Sequence, residues 1–387
     1  MSQKNAALQF VILLGVVSLC ADATYEGARS ITGAYLSVLG ATGTVVGLVA
    51  GLGELIGYGL RLLTGYWSDR TRQYWGITTL GYAINTAVVP LMALAGRWEV
   101  LAGLMIAERT GKAIRTPPRD VLLSHAAIRV GKGFGFGLHE AMDQIGAVLG
   151  PLLVTSVLLW RGHYPAGFAV LVIPAVLGLI VLLWLRQGYP NPREFESTRQ
   201  DLHSEGLPQQ FWVYLGAVAL LAAGYVDFPL IAFHLQQAGV ETLIQIPLLY
   251  ALAMGVDAIA ALLFGYGFDR WGMATLILAI GCSLGFAPLI FLGGTHFALV
   301  GMVLWGIGMG AQESILKAVV AGMVTPERRG SAYGIFNTGY GLAWFLGSAV
   351  MGILYDFSLP VLVIFSLSIQ LLAAIVLIWL TQRFRVN

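Results

Sequence analysis

Apolar residues come along this chain in long blocks, broken by short runs of glycine, proline and charge. A block of about 20 apolar residues crosses a hydrocarbon core about 30 Å thick as a helix. Read between the breakers, the pattern predicts six spans in the first half: Leu8–Ser37, Thr44–Gly65, Gly76–Leu94, Val100–Arg115, Gly131–Trp160 and Ala166–Leu185. Six more follow: Phe211–Leu235, Thr242–Phe268, Met273–Phe291, Phe297–Val324, Gly330–Tyr355 and Pro360–Leu380. Between the sixes, Gln187–Gln209 holds Pro190, Pro192, Pro208 and several charges, which hydrocarbon does not tolerate. The expected organisation is therefore a bundle over 1–186, a linker over 187–209 and a second bundle over 210–387. The N-terminal run resembles a signal peptide, but its helical pattern continues through Tyr35, so we read an uncleaved first span.

Composition supports a membrane protein with little outside the bilayer. Of the 387 residues, 57% are hydrophobic and 11% charged, against roughly a quarter charged in soluble domains. The 49 glycines suit close helix packing in lipid. A net charge of +2 without a basic, aromatic-rich loop argues against a nucleic-acid partner. Cys20 and Cys282 lie in apolar runs without metal-like spacing and read as packing residues. Basic residues are retained on the cytoplasmic side of spans. Lys4, Arg70, Arg72, Arg119, Arg129, Lys132, Arg186, Arg193, Arg199, Arg270, Arg328, Arg329, Arg383 and Arg385 fall on one side, Arg97 and Arg161 on the other. Both termini and the linker are thus expected in the cytoplasm, in a multi-pass inner-membrane protein.

The halves repeat. Gly65-Tyr-Trp-Ser-Asp69-Arg70 returns as Gly265-Tyr-Gly-Phe-Asp269-Arg270 after 200 positions, and Gly133-Phe-Gly-Phe-Gly137 as Gly330-Ser-Ala-Tyr-Gly334 after 197. Duplication of a six-span unit explains both. With these motifs the chain resembles the major facilitator superfamily over essentially its whole length, and an uncharacterised, antiporter-like bacterial branch of it. That resemblance implies an all-α integral membrane fold of twelve helices, in two six-helix bundles related by a pseudo-two-fold along the membrane normal. It also implies that Asp69, Arg70, Asp269 and Arg270 are gating residues, Asp69 meeting a helix start near Gly330 and Asp269 one near Gly133. Physically, a carboxylate suits the positive end of a helix. Gly146-Ala-Val-Leu-Gly150-Pro151 is similar to an antiporter motif, and equally serves helix packing. The stretch from Glu108 to Arg115, continuing through Pro117 and Pro118 to Asp120, has Gly111-Lys112 but not the upstream glycine of a phosphate loop.

Ionisable groups inside spans are costly and mark candidate sites. Asp22, Glu26 and Arg29 share one face of the first span, with Tyr25 beside them. The resemblance places the first, fourth, seventh and tenth spans around a cavity. Candidate substrate ligands are then Tyr25, Arg29, Arg109, Lys112, Asp227, Glu313 and Lys317, and candidate proton carriers Asp22, Glu26, Glu140 and Asp143. Glu140 and Asp143 are placed to pair with Arg109 or Lys112. Glu54, Arg61, His139 and Asp257 extend the set, with no ligand spacing that would make His139 a metal ligand. The expected function is proton-coupled transport of a small polar solute, anionic or zwitterionic, by a monomer without cofactor, with antiport export ahead of symport uptake. Uptake of a small metabolite or a carboxylate-bound metal ion is one alternative, and an intramembrane enzyme acting on lipid head groups another.

Overall fold

The computed structural model describes residues 3–190, 206–325 and 329–384. The residues 191–205 of the expected linker lie outside it, with Arg193, Arg199, Arg328 and Arg385. The described chain is helical throughout: α1 (Gln3–Val38), α2 (Gly43–Thr71), α3 (Tyr74–Leu91), α4 (Trp98–Val130), α5 (Lys132–Arg161), α6 (Tyr164–Val170) and α7 (Val172–Gly188), then α8 (Gln209–Gly224), α9 (Phe228–Gln237), α10 (Gln245–Trp271), α11 (Met273–Ser283), α12 (Phe286–Leu292), α13 (Thr295–Met323), α14 (Arg329–Phe357) and α15 (Leu359–Phe384). Among the described residues, 11 helical segments are long and apolar enough to cross a membrane. Of the twelve expected spans, only the fourth falls short on this measure, since α4 is 33 residues long but carries a dense row of charges.

Large apolar side chains are exposed on the outer faces of the helices as well as buried between them. In α7 the exposed positions are Ile173, Val176, Leu177, Ile180, Leu183 and Trp184, while the buried ones include Pro174, Ala175 and Gly178. Small residues inside let backbones approach, which supplies the dispersion contact that lipid cannot provide by exclusion. Cys20 is buried in this way, but Cys282 is exposed. The expectation that both cysteines pack inside therefore holds for the first alone.

By contact the chain divides into two compact units, the first from the described parts of Met1–Leu39, Ile56–Arg199 and Leu243–Ala251, the second from those of Gly40–Leu55, Gln200–Thr242 and Leu252–Asn387. In the first unit α1 packs most extensively on α5, and α3 on α4. A Cβ added at Gly150 would collide with the Ala23 carbonyl, and one at Gly146 with that of Leu19. In the second unit Gly347 stands against Ala223 in the same manner, between α14 and α8. The 197-residue repeat thus reuses one backbone contact.

Four expected spans need correction, the sixth being interrupted at Leu171 between α6 and α7. The fourth span does not stop at Arg115 but runs through Pro117 and Pro118 to Val130. Proline at 117 has no N–H for the carbonyl of Ala113. Thr64 in α2 donates its hydroxyl to that carbonyl at 3.1 Å, which satisfies it. Arg119, counted as a loop cation, consequently lies inside a helix. The seventh span is broken between Gly224 and Phe228. The Gly224 carbonyl accepts from Ser366 at 2.7 Å and Gln370 at 3.2 Å, and the Val226 carbonyl from the Trp305 indole at 2.9 Å. Side chains thereby replace the lost backbone bonds. The ninth span is interrupted at Leu284 and Gly285.

Candidate functional site

In the first unit, helical spacing on α4 builds a charged row from Glu108, Lys112, Arg115 and Arg119, each three or four residues from the next. Close approach of α3 fixes its position, since Gly81 abuts the Arg115 backbone and Gly111 that of Asn85. Arg115 is 1% exposed. Its Nη2 donates to Asp22 Oδ1 at 3.1 Å, and its guanidinium carbon lies 4.5 Å from the ring centre of Tyr82. Its Nε and Nη1 have no hydrogen-bond partner among the described residues. Asn85 donates to both the backbone and the side-chain carboxylate of Glu108, and Glu108 also stands 3.8 Å from Arg109.

Tyr25 gathers cations. The Lys112 ammonium lies 3.7 Å and the Arg109 guanidinium 4.6 Å from its ring centre, while Arg29 donates to its hydroxyl at 3.3 Å. A ring face attracts cations through its quadrupole, more strongly where water is excluded. Glu26 lies 4.0 Å from Arg29 but accepts a shorter bond, 2.6 Å, from the Tyr250 hydroxyl, which belongs to the same unit.

Further along, Arg119 donates to Asp120 at 2.8 Å and to Ser18 at 3.0 Å, and lies 3.7 Å from Asp143. His139 is 3.8 Å from the same carboxylate. The expectation that Glu140 and Asp143 pair with Arg109 or Lys112 is corrected here, because α4 continues past its prolines and brings Arg119 to Asp143. Glu140 points away and is exposed. Asp22, on the same face of the first span as Glu26 and Arg29, is held by Arg115 from α4.

In the second unit, the break after α8 places Asp227 at the N-terminal cap of α9, 2% exposed. Asp257 on α10 is 1% exposed. Tyr225, Trp305, Tyr340 and Trp344 form an aromatic group, with ring centres 6.0 Å apart for Tyr225 and Trp305 and 5.5 Å for Tyr340 and Trp344. Tyr340 donates to Gln312 at 3.3 Å. Glu313 and Lys317 are exposed on α13. Asp69 accepts from Tyr74 at 3.2 Å, Arg70 donates to Tyr66 at 3.1 Å, and Arg270 covers Tyr266 at 4.6 Å, so the repeated turns share an arginine-on-tyrosine pairing. No group of three or more metal-ligating side chains occurs among the described residues.

Reasoning from the sequence missed Arg115, Arg119, Ser18, Tyr82, Asn85 and Tyr250. For the two arginines a signal was present, because the row from Glu108 keeps helical spacing across the prolines. Tyr250 carried no such signal.

Ionisable side chains buried among helices long and apolar enough to cross a membrane mark a functional site within the bilayer. The chain belongs to the major facilitator superfamily, whose sequence profile matches residues 14–320 and 297–386. Members of that family transport by alternating access and are not enzymes, which removes the lipid-head-group alternative. An uncharacterized protein of Mycobacterium tuberculosis is 42% identical over 379 residues, covering 96% of this chain and 93% of that one. An uncharacterized transporter of the same superfamily from Methanocaldococcus jannaschii is 27% identical over 96% of this chain and 94% of its own. Multidrug resistance protein MdtH of Proteus mirabilis is 25% identical over 83% of this chain and 80% of its own. The fold is similar to that of nucleoside transporter NupG, with a TM-score of 0.75, 15% identity and 100% of both chains covered.

Proposed function

We propose that this transporter moves a small polar anion or zwitterion, coupled to protons, with export by antiport as its direction. The observation that carries the substrate class is the gathering of Lys112, Arg109 and Arg29 around Tyr25. Lys112 has no carboxylate within ion-pair distance among the described residues, so a bound carboxylate or phosphate would give it one. Asp227, Glu313 and Lys317 are proposed separately as substrate contacts of the second unit. Glu26 and Asp143 are the leading proton carriers, with Asp22 and Glu140 less favoured by their surroundings. Export is the direction suited to the drug resistance that MdtH is named for. Asp69 and Asp269, with Arg70 and Arg270, are the proposed gating residues, both acting on the cytoplasmic side when the cavity opens outward.

Purified protein in liposomes, offered labelled small carboxylates, phosphates and amino acids under an imposed pH gradient, tests this reading. Accumulation of an unaltered solute that follows the gradient is expected, and Lys112→Gln should raise the half-saturating concentration about tenfold or more, the scale of one lost charge-assisted bond. Flux confined to apolar cations, or flux indifferent to pH, would refute it; accumulation against the opposite gradient would make it a symporter.

The orientation is tested separately, on intact cells, in a background lacking Cys20 and Cys282. An impermeant thiol reagent should label Arg161→Cys and not Arg193→Cys. The reverse pattern would invert the topology.

A further inference from the structure

The carboxylate of Asp356, near the end of α14, takes three bonds from the first turn of α2. Oδ1 accepts from the Gly43 amide at 2.8 Å, and Oδ2 from the Thr44 amide at 2.8 Å and the Thr44 hydroxyl at 2.7 Å. Amides in the first turn of a helix have no partner within it, and the positive end of the helix dipole adds to their attraction for an anion. Glycines bring the two helices together here. A Cβ at Gly47 would meet the Ser348 carbonyl and Gly352, and one at Gly51 would meet the Phe345 backbone. Capping residues normally sit next to the helix they cap, yet Asp356 is 313 positions away from Gly43.

The place of this contact in the repeat sets it apart from an ordinary cap. Gly40–Leu55, which carries the start of α2, groups with the second unit, and Leu243–Ala251, about 200 positions on, groups with the first. At the far ends of these same two helices stand the Asp69 and Asp269 turns, each grouped with its own half. Each half of the sequence therefore attaches the start of its second long helix to residues of the other half, and for α2 the polar part of that contact is the three bonds to Asp356, set beside the glycine packing. Such bonds exchange for water with little net change in free energy, so they can open and close repeatedly.

We infer that Asp356 is a positioning residue for transport, whose carboxylate holds the start of α2 on the end of α14 in one part of the cycle and releases it in the other. A permanent cap is the competing account, and it predicts no effect on the balance of conformations.

Spin labels at Thr71→Cys and Trp271→Cys, one beside each Asp-Arg turn, read that balance in lipid nanodiscs without any solute, so the result is independent of the proposed substrate. In a background free of Cys20 and Cys282, Asp356→Asn should shift weight to the shorter-distance population by about 2- to 30-fold, the range for one charge at a helix end. Asp356→Glu should restore the original balance in large part. A disulfide between Ala41→Cys and Phe357→Cys, formed in a separate preparation labelled through an orthogonal handle, should suppress the short population. If Asp356→Asn does not survive purification, Thr44→Val, which removes one of the three bonds, is read in the same way. A distribution unchanged by the neutral variants, or a short population that persists in the cross-linked protein, would overturn the inference.

Discussion

Arg115→Leu is expected to lower the stability of the protein by about 3–5 kcal/mol, the cost of leaving one member of a buried ion pair without its partner. The reason is the position of Asp22, whose Oδ1 accepts from Arg115 Nη2 at 3.1 Å with a side chain 14% exposed. Leucine fills much of the volume but provides no charge, and the contact with Tyr82 is lost as well. A thermal unfolding series in detergent checks it. Asp22→Asn added to Arg115→Leu should recover a large part of the loss, because the double variant buries no lone charge. Equal loss in the single and double variants would mean that Arg115 acts through packing rather than through Asp22. Arg115→Lys should rescue less than its charge suggests, since an ammonium cannot reproduce a planar guanidinium that both stacks and bonds.

Glu26→Gln is expected to abolish gradient-driven flux while leaving solute exchange intact. Its carboxyl accepts from Tyr250 at 2.6 Å, a bond that a protonated carboxyl, an ionised one and a glutamine amide can all receive. The substitution therefore preserves the bond from Tyr250 and removes the capacity to carry a proton, together with the charge that faces Arg29 at 4.0 Å. Asp22→Asn should differ: it disturbs the partner of Arg115, so its loss of flux should come with lower thermal stability. Counterflow exchange between equal pH values separates coupling from binding, and a pH-jump accumulation assay reads the coupling itself. Should Glu26→Gln keep concentrative transport with the wild-type pH dependence, the proton passes elsewhere. Asp143 is then the next candidate, for its Oδ1 is buried without a hydrogen-bond partner among the described residues.

Much of the site was legible in the order of residues, and the misses share a cause. Tyr25, Arg29, Arg109 and Lys112 were identifiable because a charge within an apolar block must find a wet path or a partner. Which partner it finds is a different matter. The Pro117-Pro118 pair reads locally as the end of a helix, yet α4 continues, and Thr64 from α2 reaches the Ala113 carbonyl that Pro117 leaves without a backbone donor. That continuation carries Arg119 to Ser18 and Asp143. The seventh span failed in the opposite sense: Asp227 and Pro229 carry a helix-start signal that the apolar pattern overrode, and the break persists because Ser366, Gln370 and Trp305 bond to the freed carbonyls.

The sequence by itself determined where the apolar blocks lie, the paired Asp-Arg turns at Asp69 and Asp269, and the residue types that carry charge into the bilayer. These follow from composition and spacing, because the cost of exposing backbone or charge to hydrocarbon acts on every residue wherever it lies in the fold. Tertiary structure alone decided that Asp22 belongs to Arg115, that Glu26 answers to Tyr250, and that Asp356 caps a helix 313 positions distant. A hydrogen bond is short-ranged and directional, so its partner is set by which helices meet and at what height, and local sequence holds no record of that.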